Sequence, residues 1–170
     1  MILSFITPIY NEEKYLPFLF QNIDRDYEKF DFEWIFIDDG STDKSAELIE
    51  KFSNNKKKIR FVKNPGKGKI DAINYGFKIS EGKFIKLVGG DDEIDLSFIK
   101  KFDHSDKNSS FVHYAKIINE ENNQLGTYTP SYQLFDYDQD KFFLNNISCP
   151  SWCWIFPREI ASNFFPIPPV

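Results

Sequence analysis

The feature that most constrains this chain is an alternation, over its first hundred or so residues, of short apolar runs with stretches of helical period. The runs "ILSFIT", "EWIFIDD", "KIRFVKN" and "KFIKLV" have the length and continuous apolarity of strands buried on both faces. The intervening segments read as helices. "NEEKYLPFLFQNI" offers Asn11 as an N-cap and acids in the first turn, with Pro17 placing the start near Tyr15 or a kink there. "GSTDKSAELIEKF" offers Ser41 or Thr42 as a cap and puts Ala46, Ile49 and Phe52 on one face. "GKGKIDAINYGFKIS" repeats the pattern with Ile70, Ile73 and Phe77. Strand, helix, strand, helix at this interval predicts an α/β fold, a mostly parallel sheet covered by helices. Ligands of such sheets bind at the carboxyl ends of strands. Three segments are thereby singled out: "TPIYN", "DDGST" and "GGDDEI".

The remainder is less regular. "SSFVHYAKIINEE" reads as a strand, "NNQLGTYTP" as a turn and short partner, "YDQDKFFLNN" as a short helix and "SWCWIF" as a further strand. Pro157 then opens a helix in "PREIASNFF". The 170 residues suffice for one domain, and the closing "PIPPV" reads as an interruption of the fold. A formal charge of −5 argues against a nucleic-acid binder. No apolar run is long enough to span a membrane, and "MILSFITPIY" lacks the basic start of a signal peptide, so it reads as a first strand. Cys149 and Cys153 lack the spacing of a zinc site, and neither His104 nor His113 completes a ligand set with them. Both thiols read as buried in a reducing compartment.

Asp38 and Asp39 end one apolar run, and Asp91 and Asp92 end another after Gly89 and Gly90. In a parallel sheet these ends lie side by side, so the four carboxylates are expected to converge. Oxygen-rich groups of this kind suit Mg²⁺ or Mn²⁺. Each pair taken singly also reads as a turn, a cap or a solvated loop. Residues 54–69 hold seven Lys or Arg and no acid. Lys56–Lys58 read as a solvated loop. Lys67 and Lys69, set among Gly66 and Gly68 at a helix start, suggest a diphosphate seat on free backbone amides. The segment is neither a Walker loop nor a dinucleotide fingerprint.

In this order and spacing, "TPIYNEEKYL", "FIDDGSTDKS" and "NPGKGKIDAINYGFKISEGKFIKLVGGDD" resemble the family-2 glycosyltransferases of GT-A fold, over about residues 2–96. "CPSWCWIFPREI" resembles a weaker segment of the same family. The D-x-D motif falls on Gly89-Gly90-Asp91, with glycine where many relatives carry the first aspartate. A subgroup with a "FLGADD"-like version is similar to this chain there. The resemblance implies a Rossmann-like α/β/α sandwich, truncated at its C-terminus, as one domain over 1–170. Residues 1–102 would form the nucleotide-sugar-binding half and 103–170 a partial acceptor-side half.

It further implies an inverting, metal-dependent, hexosyltransferase-like enzyme that moves a sugar from a nucleotide-diphosphate donor, UDP-sugar favoured, to a saccharide or lipid-linked acceptor. The expected setting is bacterial cell-surface polysaccharide synthesis, in the cytoplasm or at the inner membrane face. Thr7, Pro8 and Tyr10 would flank the base and Glu12 the ribose. Asp38 and Asp39 would contact the base near the metal, and Lys67 the base or phosphate. Asp71, Asn74 and Asp92 would line the donor pocket. Asp91 would hold Mn²⁺ or Mg²⁺. The general base is expected beyond Val170, in an acidic motif that the family places after "SWCWIFPREI". The alternative from a different class is a nucleotide-sugar-binding module without transfer activity. A nucleotidyltransferase would need glycines after the first strand, which "TPIYNEEK" lacks.

Overall fold

The computed structural model describes residues 2–100, 105, 110–112, 115–119, 121, 123–128 and 153–168. The four expected strands form as β1 (Leu3–Ile9), β2 (Phe32–Asp38), β3 (Ile59–Lys63) and β4 (Phe84–Leu87). The helices between them are α1 (Leu16–Asp26), α2 (Ser45–Ser53) and α3 (Lys69–Ile79). Pairs β1–β2, β2–β3 and β1–β4 are all parallel. A 3₁₀ turn, Leu96–Lys100, follows β4.

The region read as one strand from "SSFVHYAKIINEE" is two, β5 (Phe111–Val112) and β6 (Ala115–Ile118). They belong to different sheets. β6 pairs with β7 (Gln124–Tyr128) in a separate antiparallel hairpin. β5 pairs antiparallel with β8 (Trp154–Pro157), which in turn runs antiparallel to β4. The main sheet thus has the order β3-β2-β1-β4-β8-β5. Pro157 caps a single helical turn, α4 (Arg158–Ala161), shorter than its sequence suggested. The helix expected in "YDQDKFFLNN" lies outside the described residues, as do Cys149, His104 and His113. Cys153 is buried and unbridged.

Strand β1 lies between β2 and β4, and its alternate residues feed two separate cores. Leu3, Phe5 and Ile9 join Trp34, Phe36, Leu19, Ile23, Ile49 and Phe52 beneath α1 and α2. Ile6 joins Ile35, Ile37, Ala72, Ile85 and Phe156 beneath α3 and α4. This is the α/β/α sandwich, and it explains why these strands read as continuous apolar runs. Phenylalanine supplies much of the first layer: Phe5 stacks on Trp34 at 4.3 Å and Phe20 on Phe52 at 4.0 Å. Gly76 lets α3 lie against the sheet, since a Cβ there would sit 2.5 Å from Ile6 Cγ2.

Helix α1 starts where Pro17 placed it, and two of the expected caps, at Asn11 and at Ser41 or Thr42, are used otherwise. Pro17 falls in the first turn of α1, with Tyr15 at the cap position, so Asn11 lies upstream of the helix and adopts a left-handed φ of 56°. Helix α2 begins only at Ser45, because Ser41 and Thr42 are held by the loop that follows β1.

A polar knot fastens the amino-terminal end of the sheet. The buried carboxylate of Glu33 accepts hydrogen bonds from Ser4 Oγ (2.6 Å), Glu81 N (2.5 Å) and Gly82 N (3.2 Å), and Arg60 Nη1 lies 3.2 Å from its other oxygen. Arg158 grips the same turn, donating to Gly82 O and Ser80 Oγ. Removing one partner of such a buried, multiply bonded charge leaves the others unsatisfied. Glu33→Ala should therefore destabilise the fold by roughly 2–4 kcal/mol, measured as a lower urea midpoint at unchanged m-value.

Candidate nucleotide and metal site

The chain reverses its lateral direction between β3 and β4. β2 and β3 step away from β1 on one side, and β4 returns to pair on the other. The crevice expected at that switch point is present: a cleft of about 350 Å³ at the carboxyl ends of β1 and β4. Pro8, Ile9 and Tyr10 form one wall, and Leu87 to Asp92 form the other. Glu12, Asp39, Lys69 and Ile73 complete it.

The loops after β1 and β2 are laced together. Asn11 Oδ1 accepts from the backbone N–H groups of Thr42 (2.8 Å) and Asp43 (3.3 Å), while Asn11 N donates to Ser41 Oγ. Glu12 N donates to Ser45 Oγ at 2.7 Å and Glu13 N to Asp43 Oδ2 at 3.1 Å. Glu13 Oε2 in turn accepts from Lys44 N at 2.9 Å. Burial raises the Asp43 carboxyl, but hydrogen bonds from Ser45 and Glu13 outweigh it and hold the group below its usual value. Most polar residues of "NEE" and "STDKS" are therefore spent on joining two loops.

Of the residues anticipated for the site, Pro8, Tyr10, Glu12, Asp39, Asp91 and Asp92 come together around the cleft. Five do not line it. Thr7 is enclosed in the core, where its Oγ1 accepts from the Trp34 indole at 2.9 Å. Asp38 is buried and turns back to accept from Ser41 N at 3.2 Å. Asp71 bends over the preceding loop to accept from Lys67 N at 2.9 Å, and Lys67 itself faces solvent. Asn74 spends its side-chain amide on both backbone groups of Ile167, at 2.9 and 2.7 Å.

Two further expectations need correction. The four strand-end aspartates do not all converge, because Asp38 points inward; Glu12 takes the fourth place at the cleft. The amides expected to be free before α3 are already engaged. Gly66 N donates to Asn64 Oδ1, Lys67 N to Asp71 Oδ2 and Gly68 N to Asp39 Oδ1 at 2.9 Å. The cation facing the cleft is Lys69, one residue past Gly68 in the same "GKGK". Sequence reasoning noticed both lysines and named Lys67 for the base or phosphate; Lys69 is the one that lines this cleft, and both are exposed. The helix starts at Lys69.

The glycines that open the loop lie close to neighbouring side chains. A Cβ on Gly89 would meet Asp91 Oδ1 at 2.6 Å and Asp92 Oδ2 at 2.9 Å. A Cβ on Gly90 would meet Ile9 Cδ1 at 2.8 Å and Glu12 Cγ at 2.9 Å. Gly89 N instead donates to Asp92 Oδ2 at 2.6 Å, which folds Asp92 under the loop. Lys86, buried on β4, adds positive charge nearby. Burial still raises the Asp92 carboxyl, the Gly89 hydrogen bond opposes this, and Asp91 adds repulsion. For Glu12, burial is again the main cause of a raised value, followed by the charges of Asp91 and Asp43. Among the described residues no three His, Cys, Asp or Glu side chains stand close enough to form a metal cage. The site suits a cation held by one or two carboxylates and completed by ligand oxygens.

A carboxyl raised in the folded state costs stability above its unfolded value, and the cost vanishes once both states are protonated. Glu12→Gln should therefore stabilise the metal-free protein near neutral pH. That gain should shrink as pH falls through the raised value towards 4.5, the ordinary value for Glu. Thermal melts across pH in chelator check this; a gain constant down to acid pH would contradict it.

The family model described as Glycosyl transferase family 2 matches residues 4–165. The chain is 36% identical over 103 residues, 59% of its length, to the poly(ribitol-phosphate) beta-N-acetylglucosaminyltransferase TarS of Staphylococcus aureus. It is 31% identical over 169 residues, 98% of its length, to an uncharacterized glycosyltransferase of Rickettsia bellii. It spans only 18% of the first and 22% of the second. The crystal structure of TarS 1–349 in complex with UDP-GlcNAc superposes on 96% of this chain and 47% of that one, with TM-score 0.63 and 19% identity. Sandwich, switch-point cleft and family match agree, and the chain belongs to glycosyl transferase family 2.

Proposed function

We propose that the cleft binds the diphosphate and base of a UDP-sugar, and that the chain carries the donor side of an inverting, hexosyltransferase-like glycosyltransferase. The observation that carries this reading is the pairing of an uncommitted carboxylate, Asp91, with a cleft-facing ammonium, Lys69, at the sheet's switch point. Asp91 makes no hydrogen bond or ion pair among the described residues. Its position suits Mn²⁺ or Mg²⁺ in the mode that leaves coordination places for phosphate oxygens. When bound, such an ion supplies Lewis-acid stabilisation to the departing diphosphate.

The chain's own groups do the rest. Lys69 places a positive charge where the diphosphate gains negative charge as the glycosidic bond breaks. Tyr10 is 57% exposed beside Pro8, so its ring is available to stack against a base. Ile73 and Val88 give the cleft an apolar floor that keeps water from the ring faces. Residues 1–102 are assigned to donor binding and 103–170 to part of the acceptor side. The acceptor is a saccharide or lipid-linked glycan of bacterial cell-surface polysaccharide synthesis, at or near the cytoplasmic membrane face. Support comes from the names of the relatives, which include TarS, and from the TarS structures in complex with UDP and with UDP-GlcNAc. No helix among the described residues is long and apolar enough to cross a membrane.

Calorimetric titration of UDP with Mn²⁺ and then with EDTA tests the assignment. Binding should require the metal and should be abolished by Asp91→Ala. Lys69→Ala should weaken UDP by roughly 10–100-fold, the loss of one charge-assisted hydrogen bond of about 1.5–3 kcal/mol. Lys67→Ala should leave binding within about twofold, as expected of a solvated charge. Equal effects of the two lysine substitutions would refute the assignment of Lys69. UDP binding without sugar transfer to any acceptor tried would favour a binding module.

A further inference from the structure

The acids around the cleft divide into two kinds. Asp39 and Asp92 are hydrogen-bonded into the frame: Asp39 Oδ1 accepts from Asn64 Nδ2 at 2.7 Å and Gly68 N at 2.9 Å, and Asp92 Oδ2 from Gly89 N at 2.6 Å. Glu12 and Asp91 make no side-chain hydrogen bond or ion pair among the described residues. The contrast is sharp along the β1 loop, where the side chains of Asn11 and Glu13, on either side of Glu12, are both committed to residues 42–44.

The two uncommitted carboxylates are also neighbours. The Glu12 stem packs so closely on Gly90 that a Cβ there would fall 2.9 Å from Glu12 Cγ and 3.3 Å from Glu12 Cβ. Gly90 is the residue that presents Asp91. Position 89 is a glycine and supplies no carboxylate of its own, and a Cβ there would displace the carboxylate ends of Asp91 and Asp92. A divalent ion held by carboxylates and phosphates takes one or two carboxylates from the protein. The only two in the described cleft that can turn to it without breaking a hydrogen bond are Asp91 and Glu12.

We infer that Glu12, reaching across Gly90 from the β1 loop, supplies the second carboxylate to the divalent cation held by Asp91, in a chain whose residue 89 is glycine and offers none. This rests on the donor-site reading above and departs from it in giving Glu12 to the cation and not to the ribose. Its consequence is that the metal bridges two strand ends, β1 and β4. The loop lacing that fixes Glu12 N on Ser45 Oγ then serves to position a ligand.

The test is Mn²⁺ affinity in the presence of saturating UDP, read by the electron paramagnetic signal of free Mn²⁺, alongside UDP affinity in EDTA by calorimetry. Glu12→Gln keeps size and shape, so folding is preserved, and it should weaken Mn²⁺ by at least about tenfold, the lower end of what even outer-shell partners of metal ligands contribute. Residual UDP affinity in EDTA should be unchanged. Glu12→Asp, whose shorter stem moves the carboxylate back from Gly90, should recover only part of the loss. If Glu12→Gln weakens UDP equally with and without metal, Glu12 is a nucleotide ligand and the inference is overturned. If it leaves Mn²⁺ affinity unchanged while Asp91→Ala abolishes it, the inference again fails while the donor site stands. If Asp91→Ala also changes nothing, the failure lies in the donor-site reading itself.

Discussion

Strand β1 is hydrogen-bonded in parallel on both sides, to β2 in seven residue pairs and to β4 in four, and everything else is arranged around that fact. A strand flanked in this way has no edge and no solvent face, so each of its side chains must enter one of two cores or emerge at its carboxyl end. Leu3, Phe5, Ile6 and Ile9 take the first course. Pro8 and Tyr10, followed by Glu12, take the second, and the cleft opens there because β4 returns to the free side of β1 after β3. The location of the site is thus set by topology before any polar residue is considered.

The polar residues then perform two separate jobs. Asn11, Glu13, Ser41, Asp43 and Ser45 lock the first two strand-end loops to each other, while Asp39, Asn64 and Asp71 organise the turn ahead of α3. Only a few groups are left over for a ligand, Glu12 and Asp91 among them. Burial, with repulsion from Asp91 and Asp43, raises the Glu12 carboxyl, an arrangement that a bound cation would relieve. The opposite end of the sheet shows the contrary design. There Glu33 is surrounded by donors and binds the α3–β4 turn to β1 and β2.

The sequence was a good guide to the architecture and a partial one to the site. Strands buried on both faces announce themselves by continuous apolarity, so β1 to β4 were legible, as were the strand ends that carry the cleft. The inner division of labour was not. Nothing in "DDGS" tells that Asp38 turns inward to Ser41 while Asp39 reaches Gly68, since β2 ends between them and the path of the following loop decides where each carboxylate points. Lys67 and Lys69 are separated by a single glycine, and only the folded loop shows that Lys69 is the one lining the cleft. The strand read across 109–121 is split between two sheets because Phe111 pairs with the distant Ile155 while Ala115 pairs with Tyr128, and the distant pairing leaves no local trace.

The antiparallel addition of β8 to β4 has a consequence for how the chain is made. The parallel unit from β1 to β4 is complete by Leu87, yet the partner for the outer edge of β4 arrives only with Trp154–Pro157. At synthesis rates of about 5–20 residues per second, that edge stays without its strand for several seconds. Its row of unpaired N–H and C=O groups, backed by Phe84 and Ile85, is a template for any passing extended chain. A nascent chain of this protein is therefore most exposed to edge-to-edge pairing in the interval between completing its parallel unit and receiving β8.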